Sequence, residues 1–518
     1  MLLPARLTLR LPALAQSRLP GYAALVLAAL LASSYQAVLS ALAHPAMPAR
    51  LLVASLLLAM LLPGRYPKGP AVAILLRGLC LCLGGYALLL SDGFPRPEHM
   101  EARWFIELGP ALAALSAVLA WWRPGWALVP VTFVILHKAL AASTTGVDLS
   151  MTDYQPLLDV ALLLCFGATA LSLLPAHQRS HAALLLFLCA VAVHFGNYFW
   201  SGLEKLRLDG PWWRWLAHNE TSNLLLAAQA LGTLPLSDAL ATRLYPLIAA
   251  SDRLLAVVVV ASQLACLACI SHRGRLIAIT LFYDLTHLLI FLLTGILFWK
   301  WILLNIAIVL AARTLPRIAL PRREQLALVL LIPCAAGLFY AAKLGWYDTR
   351  ALVAPRLVAV DSDGQRTAVP SNYFLAASVT AAQHRLTRPD PLTMGTGTFG
   401  NAASDARRRA AEADCPALVT RAGDEGVARF AAFLQQHHRF VLSRLDPAGR
   451  LAYDRYPHHI FSSPGRYPEL PRLDLRRIER YELTFDALCL EHDGTGFAPE
   501  LIEQARYTIP LDGPPHRG

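Results

Sequence analysis

Long apolar stretches fill the first two thirds of this 518-residue chain. About 20 consecutive apolar residues cross a bilayer as a helix, and in lipid a single segment can satisfy its own backbone only as a helix. Eleven stretches fit: 21–43, 49–64, 69–91, 104–122, 125–143, 155–175, 181–200, 247–270, 275–293, 295–313 and 324–343. The second is short, and the ninth and tenth meet at Thr294-Gly295 with almost no loop, so nine to eleven spans are expected. The fold class that follows is an all-α polytopic membrane helical bundle over residues 21–343. Residues 1–20 carry Arg6, Arg10 and Arg18 ahead of the first stretch. That stretch is long and lacks a clear small-residue cleavage site, so it reads as a retained signal-anchor rather than a cleaved signal peptide.

Charge agrees with this class. Only 16% of the residues are charged, against roughly 25% in soluble domains. Residues 1–343 hold 25 Lys+Arg and 14 Asp+Glu, whereas residues 344–518 hold 21 of each, so the net +11 lies wholly in the apolar part. A nucleic-acid binder would carry its basic excess on a polar face, so nucleic acid is not an expected partner. Arg65/Lys68, Arg123, Arg179, His272-Arg-Gly-Arg275 and the arginines of 313–323 fall on alternate turns. The opposite loops, 92–103 and 144–154, are acidic or nearly free of Arg and Lys. The positive-inside rule then places the N-terminus in the cytoplasm, with the chain integral to a cell (inner) membrane. An odd number of spans puts residues 344–518 outside.

That tail alternates short apolar runs (352–360, 430–434, 481–490) with Pro, Gly and Asp turns. It reads as a small extracytoplasmic α+β domain of ~170 residues, large enough for its own core. Its Cys415 and Cys489 form either a disulfide or two buried thiols. Its paired histidines, His437-His438 and His458-His459, read as surface residues. Cys266-x-x-Cys269 lies inside an apolar helix and reads as helix packing.

An ionisable group at bilayer depth costs ~2.5–3.5 kcal/mol on insertion scales, so each one needs a reason. The candidates are His137-Lys138, Asp159, His194, Glu204-Lys205, Asp252-Arg253, Asp284, His287 and Lys300. Several have plain explanations: Asp252-Arg253 and Lys300 near span ends, Asp159 as a backbone cap, a lone histidine as a packing residue. The segment from His194 to His218 resists them. Asn197, Ser201 and Lys205 fall at i, i+4 and i+8 on one helical stripe, and Tyr198 lies seven residues before Lys205. Trp212, Trp213 and Trp215 suit the headgroup level. Asp284 and His287, at i and i+3, share a face on which a carboxylate can fix a histidine tautomer. One Asp-x-x-His does not make a di-metal bundle, and no metal is expected.

The segment Tyr198-Phe-Trp-Ser-Gly-Leu-Glu-Lys205-Leu resembles the Tyr-Phe-x-x-Gly-x-x-Lys-Leu segment of vitamin K-dependent gamma-carboxylases. It also resembles the wider bacterial group of horizontally transferred transmembrane (HTTM) domain proteins. The span with His287, followed by Gly295 and Phe298, is similar to that family's histidine-bearing helix. The resemblance covers roughly residues 20–315 and is specific at 197–206. It implies Lys205 as the base toward a reduced naphthoquinone of menaquinone or vitamin K type, with Tyr198 and His287 as catalytic neighbours. Asn197, Ser201, Asp284 and His137 are the candidates to line the cofactor. The activity implied is quinol- and oxygen-driven carboxylation of a carbon acid, a lyase or ligase type of reaction. The chain departs from the family where an Asn-His pair would stand; it reads Ser150-Met-Thr-Asp-Tyr-Gln155 there. The tail is also shorter than in animal carboxylases and has no matching propeptide-binding region. Two other readings stand beside this one: a quinone-linked membrane oxidoreductase on the same scaffold, and a non-catalytic anchor or carrier whose tail recruits a partner. Expected partners are membrane lipid and a protein or peptide bound by the tail.

Overall fold

The structure, a computed structural model, describes residues 18–44, 46–67, 69–90, 93–94, 100–145, 154–316, 318, 320–383, 399–413, 415, 424–453, 456 and 458–517. The helical part consists of α1 (Leu19–Leu42), α2 (Pro48–Leu61), α3 (Pro70–Leu90), α4 (Met100–Leu119), α5 (Leu128–Thr145), α6 (Gln155–Ser172) and α7 (Ala176–Arg207). It continues through the short α8 (Arg214–His218) and α9 (Ser222–Ala230) to α10 (Asp238–Cys269), α11 (Arg273–Thr294), α12 (Trp299–Arg313) and α13 (Arg322–Cys334). Ten of the eleven apolar stretches are mainly helical along their length. The last, 324–343, is helical only as far as Cys334 and then leaves the helix as a 3-10 turn and extended chain, because Pro333 and Gly337 break it there. Among the described residues, eight helices are long and apolar enough to cross a membrane: α1, α3, α4, α5 with its leading turn, α6, α7, α10 and α11. The other three stretches form α2, α12 and α13, of 14, 15 and 13 residues. These are shorter than the ~17 residues a span needs, so length alone gives eight against the nine to eleven expected.

Local chemistry sets these ends. Pro48 opens α2, and Pro333 near the end of α13 leads into a 3-10 turn at Ala335–Gly337. Helix α11 ends at Gly295, whose φ of 76° is left-handed. A Cβ there would lie 2.1 Å from the Thr233 carbonyl oxygen and 2.9 Å from that of Phe461, so only glycine fits. The core runs along α6 and the middle of α7, which are buried over most of their length. Helices α1, α10 and α11 expose leucines and valines such as Val26, Leu254 and Leu288, as a lipid-facing surface requires.

The tail is built from β1 (Tyr347–Asp348), β2 (Ala351–Asp361), β3 (Arg366–Val369), α14 (Ser378–Ala382), β4 (Asn401–Ala402), α15 (Asp405–Ala413), α16 (Asp424–Leu442), β5 (Ile478–Cys489), β6 (Glu500–Pro510) and β7 (His516–Arg517). Five strands form an antiparallel sheet in the order β3-β2-β5-β6-β7, and β1 pairs with β4. Leu357 stands opposite Leu483, and Phe485 opposite Ala505. The runs 352–360 and 481–490 are thus strands, while 430–434 lies on α16 and contributes Phe430, Phe433 and Leu434 to the core. Cys415 and Cys489 form a disulfide.

The four paired histidines are buried, contrary to the surface placement expected from sequence. His437 and His438 are helical, so they lie about 100° apart and both reach the core, whereas in a strand they would point to opposite faces. Each ring also finds a partner. His437 Nε2 lies 2.9 Å from the Tyr373 carbonyl oxygen and His438 Nδ1 2.9 Å from the Tyr481 hydroxyl. His458 Nδ1 lies 2.9 Å from the Ser378 hydroxyl.

Candidate functional site

Helix α7 turns two different polar faces to two different neighbours. On the first, His194 and Tyr198 meet α11 and α12 around Asn305. The Asn305 carbonyl oxygen accepts from His194 Nε2 at 2.9 Å. The Asn305 amide nitrogen donates to the Tyr198 hydroxyl at 3.0 Å and to Asp284 Oδ1 at 2.8 Å. A carbonyl oxygen only accepts, so His194 carries its proton on Nε2 and leaves Nδ1 as an acceptor. Among the described residues, that Nδ1 and the Nδ1 of His287 are buried without a hydrogen-bond partner. Aromatic rings wall the group. Tyr198 and Tyr283 stack at 3.7 Å, Tyr198 and His287 lie 5.9 Å apart, and His287 stacks on Phe298 at 5.0 Å. The Trp301 ring stands roughly perpendicular to those of His194, Tyr198 and His287, at 5.6, 5.4 and 5.7 Å.

The tail closes this end of the bundle. Leu297 N donates to the His459 carbonyl oxygen at 2.7 Å, and His459 Nδ1 donates to that of Leu297 at 3.0 Å. Phe461 N donates to the Gly295 carbonyl oxygen at 2.9 Å. The α11–α12 turn and residues 459–461 thus pair as two short extended segments, with Phe298 between His287 and His459.

The second face of α7 is the stripe Asn197-Ser201-Lys205. It does not join the first group. It holds the chain as it leaves α13 for the tail. Ala342 N donates to Asn197 Oδ1 at 2.9 Å, and Ser201 Oγ donates to the Ala342 carbonyl oxygen at 3.0 Å. Lys205 Nζ donates to the carbonyl oxygens of Leu344 at 2.6 Å and Ser201 at 3.0 Å. The same pattern continues at both ends. Tyr340 N donates to Asp159, Trp215 Nε1 to the Trp346 carbonyl oxygen, and Asp348 N to Asn219. In an extended chain the N–H and C=O of one residue point to one edge and those of the next to the other. Residues 340, 342, 344, 346 and 348 therefore present one strand edge, which bundle side chains satisfy in place of a neighbouring strand.

Lys205 is half-buried, and seven residues of α7 put about 10 Å of helix rise between it and Tyr198. Glu204 pairs with Arg207 at 3.6 Å and leaves Lys205 to its carbonyl partners. Beyond the helix end stands Asp348, which accepts from Asn219, Asn401 and Trp346. Burial pushes its carboxyl up to about 6; these three donors and the charge of Lys205 pull the other way.

The structure therefore brings Tyr198, His287 and Asp284 together and adds His194 and Asn305. It places Lys205, Asn197 and Ser201 along the neighbouring strand. Asp284 engages Asn305 through Oδ1 and makes no hydrogen bond to His287, so the expected carboxylate–histidine pair does not form; the Asn305 amide on α12 competes for the carboxylate. His137 lies apart, against Phe94 and Phe133 on α5. Lys300 does not snorkel at a span end. It is 1% exposed and faces the rings of Tyr86, Tyr154 and Trp299. Lys138 is half-buried and lies 3.5 Å over the Tyr154 ring. Residues 150–153, where the family's Asn-His pair would stand, are outside the described residues. Asn305 and Asp348 escaped the sequence reading. A neutral amide in an apolar stretch carries no charge to single it out, and Asp348 follows the last span.

No family model matches the chain, and no similarity to a curated protein or to a solved structure is found.

Proposed function

We propose that this chain is a membrane enzyme that binds a reduced naphthoquinone against the Tyr198–His287 wall. In this reading it uses the quinol to carboxylate, or otherwise modify, a substrate presented by the tail outside the cell membrane. The observation that carries it is the cluster itself. His194, Tyr198, Asp284, His287 and Asn305 come from three helices and meet inside an apolar bundle, where unused polar groups are costly. The residues present fit an aromatic diol, because two buried ring nitrogens lack partners and the walls are Tyr, Phe and Trp rings. When bound, a reduced naphthoquinone supplies, with oxygen, the strong base that carbon-acid chemistry needs. The protein's part is positional. His194 Nδ1 and His287 take hydroxyl protons or hydrogen bonds, Asn305 and Tyr198 fix the orientation, and the aromatic rings exclude water. Lys205, at the tail end of α7, holds the start of the tail through the Leu344 and Ser201 carbonyl oxygens, with Asp348 beyond it.

The topology of this reading has the N-terminus in the cytoplasm and the tail outside, which takes an odd number of spans: the eight long helices together with the shorter α2, α12 and α13. Two observations support it. Arg65, Arg123 and Arg179 gather at one end of the bundle. The tail holds a disulfide, which persists in oxidising compartments.

The test is full-length protein in nanodiscs with menaquinol, oxygen and labelled bicarbonate. Label incorporation and quinone epoxide are expected, and both should vanish in His287→Ala. Absence of both from the wild-type protein overturns the carboxylase reading. One observation favours a quinone-linked oxidoreductase instead: Lys205 is bonded to backbone carbonyls rather than set against Tyr198. Quinol oxidation without label is the outcome that selects it.

A further inference from the structure

At the opposite end of the bundle the ends of α2, α4 and α6 and the start of α7 surround a cleft of about 800 Å³. Its lining includes Arg65, Arg77, Arg123 and Arg179 and no carboxylate. Four like charges gather there, and no acid pairs with any of them among the described residues. Three are held in place by backbone. Arg77 donates through Nε and Nη2 to the Trp121 carbonyl oxygen at 3.0 and 2.7 Å. Arg123 Nη2 donates to the carbonyl oxygens of Leu62 at 2.7 Å and Met60 at 3.1 Å. Arg179 Nε donates to that of Leu174 at 2.6 Å. A guanidinium has five N–H donors, so each keeps several for something else. Arg77 is also flanked by the rings of Tyr66 and Trp121 at 4.9 and 5.2 Å, which holds its plane without neutralising it. At the rim, Trp121 and Trp122 are 42% and 64% exposed. Indole rings so placed at a helix end sit at headgroup depth.

Anchored guanidinium forks, no counter-ion and a tryptophan rim are what recognition of a phosphate group at a membrane surface requires. We propose that this cleft is a phosphate site for the phosphodiester of an anionic lipid headgroup, the arginines bonding its free oxygens while Trp121 and Trp122 lie along the acyl boundary. It is separate from the Tyr198–His287 cluster and does not depend on the function assigned to that cluster. The same phosphate chemistry could arrive on a soluble anion, and the experiment separates the two sources.

The protein is reconstituted in nanodiscs of phosphatidylcholine with a minor fraction of phosphatidylglycerol, and the annular lipid it retains on detergent extraction is counted by native mass spectrometry. A parallel sample in detergent is titrated with inorganic phosphate while unfolding temperature is followed. Enrichment of phosphatidylglycerol over phosphatidylcholine is expected. It should fall roughly fivefold for each arginine removed, the ratio to which ~1 kcal/mol per basic residue corresponds. Arg77→Gln removes a backbone anchor as well as a charge. Arg65→Gln breaks no bond among the described residues and so decides the matter even if the first variant fails to fold. Stabilisation by inorganic phosphate that Arg65→Gln abolishes, without lipid enrichment, supports the phosphate site and assigns it to a soluble anion. Equal retention of both lipids by wild type and Arg65→Gln, with no response to phosphate, overturns the proposal.

Discussion

Asn305 joins three helices with a single amide. Its oxygen takes His194, and its nitrogen serves Tyr198 and Asp284. Asn305→Leu leaves those three groups without that partner, at ~1–3 kcal/mol for each buried polar group left unpaired. Thermal unfolding in detergent should show a clear drop in midpoint, together with loss of bound quinone. His287→Gln tests the opposite combination. Its ring makes no hydrogen bond among the described residues, so the unfolding midpoint should hardly move while quinone retention disappears. Equal stability losses in the two variants would argue that the cluster only packs helices. Tyr198, Lys205 and His287 were legible in the sequence because a charge or a motif marks each. The amide was not, because a neutral side chain among leucines looks like any other packing residue until its neighbours across the interface are known. Likewise the stripe Asn197-Ser201-Lys205 was legible as a stripe, but its partner was not. Backbone groups leave no trace in residue identities.

At the scale of the element, α7 turns one face to the Asn305 cluster and another to the chain entering the tail, and Lys205 belongs to the second by its hydrogen bonds. Lys205→Met removes a charged donor from the Leu344 carbonyl, an interaction worth ~1.5–3 kcal/mol. Amide exchange at residues 342–346 should then accelerate by tenfold or more. Unchanged exchange combined with lost turnover would assign the lysine to chemistry alone. Helix α16 makes a second prediction, in pH. Burial holds both His437 and His438 down at about 4, whereas an unfolded imidazole titrates near 6.5. Between about pH 6.5 and 4 only the unfolded chain takes up these protons. The tail therefore loses stability as pH falls through that window, at ~1.4 kcal/mol per pH unit for each site, and is steady above it. Asp348 acts in the other direction. Its folded value of about 6 lies above the unfolded ~3.9, so its protonation favours the fold as pH falls from about 6 to 4. Two imidazoles outweigh one carboxyl, and the net expectation is acid-induced unfolding of the tail below about pH 6. A His437→Phe and His438→Phe double variant that keeps the same pH profile would contradict this account.

Across the whole molecule, the helical class was readable from apolar length alone, although the last forecast stretch, 324–343, leaves the helix after Cys334. The docking of the tail was not, because its contacts join residues far apart in sequence. Ala376 N donates to the Gly93 carbonyl oxygen, Gln436 to that of Thr144, and residues 459–461 pair with the α11–α12 turn. Gly295 is the tightest of these junctions. Gly295→Ala should misplace the tail, seen as loss of folded protein or as new protease sensitivity near residue 460. The Cys415–Cys489 bridge closes a sequence separation of 74 residues. Replacing both cysteines by alanine should lower the tail's stability by ~2–4 kcal/mol, and added reductant should then have no further effect on its unfolding midpoint. The segment between α13 and β2 has a consequence of a different sort. A connection between two domains usually tolerates changes in length. Here even-numbered residues from 340 to 348 face the bundle, and inserting one residue turns every later one to the opposite edge. The join is sensitive to parity: an odd change in length exchanges the bonded and unbonded edges, so evolution can lengthen this connection in place only two residues at a time.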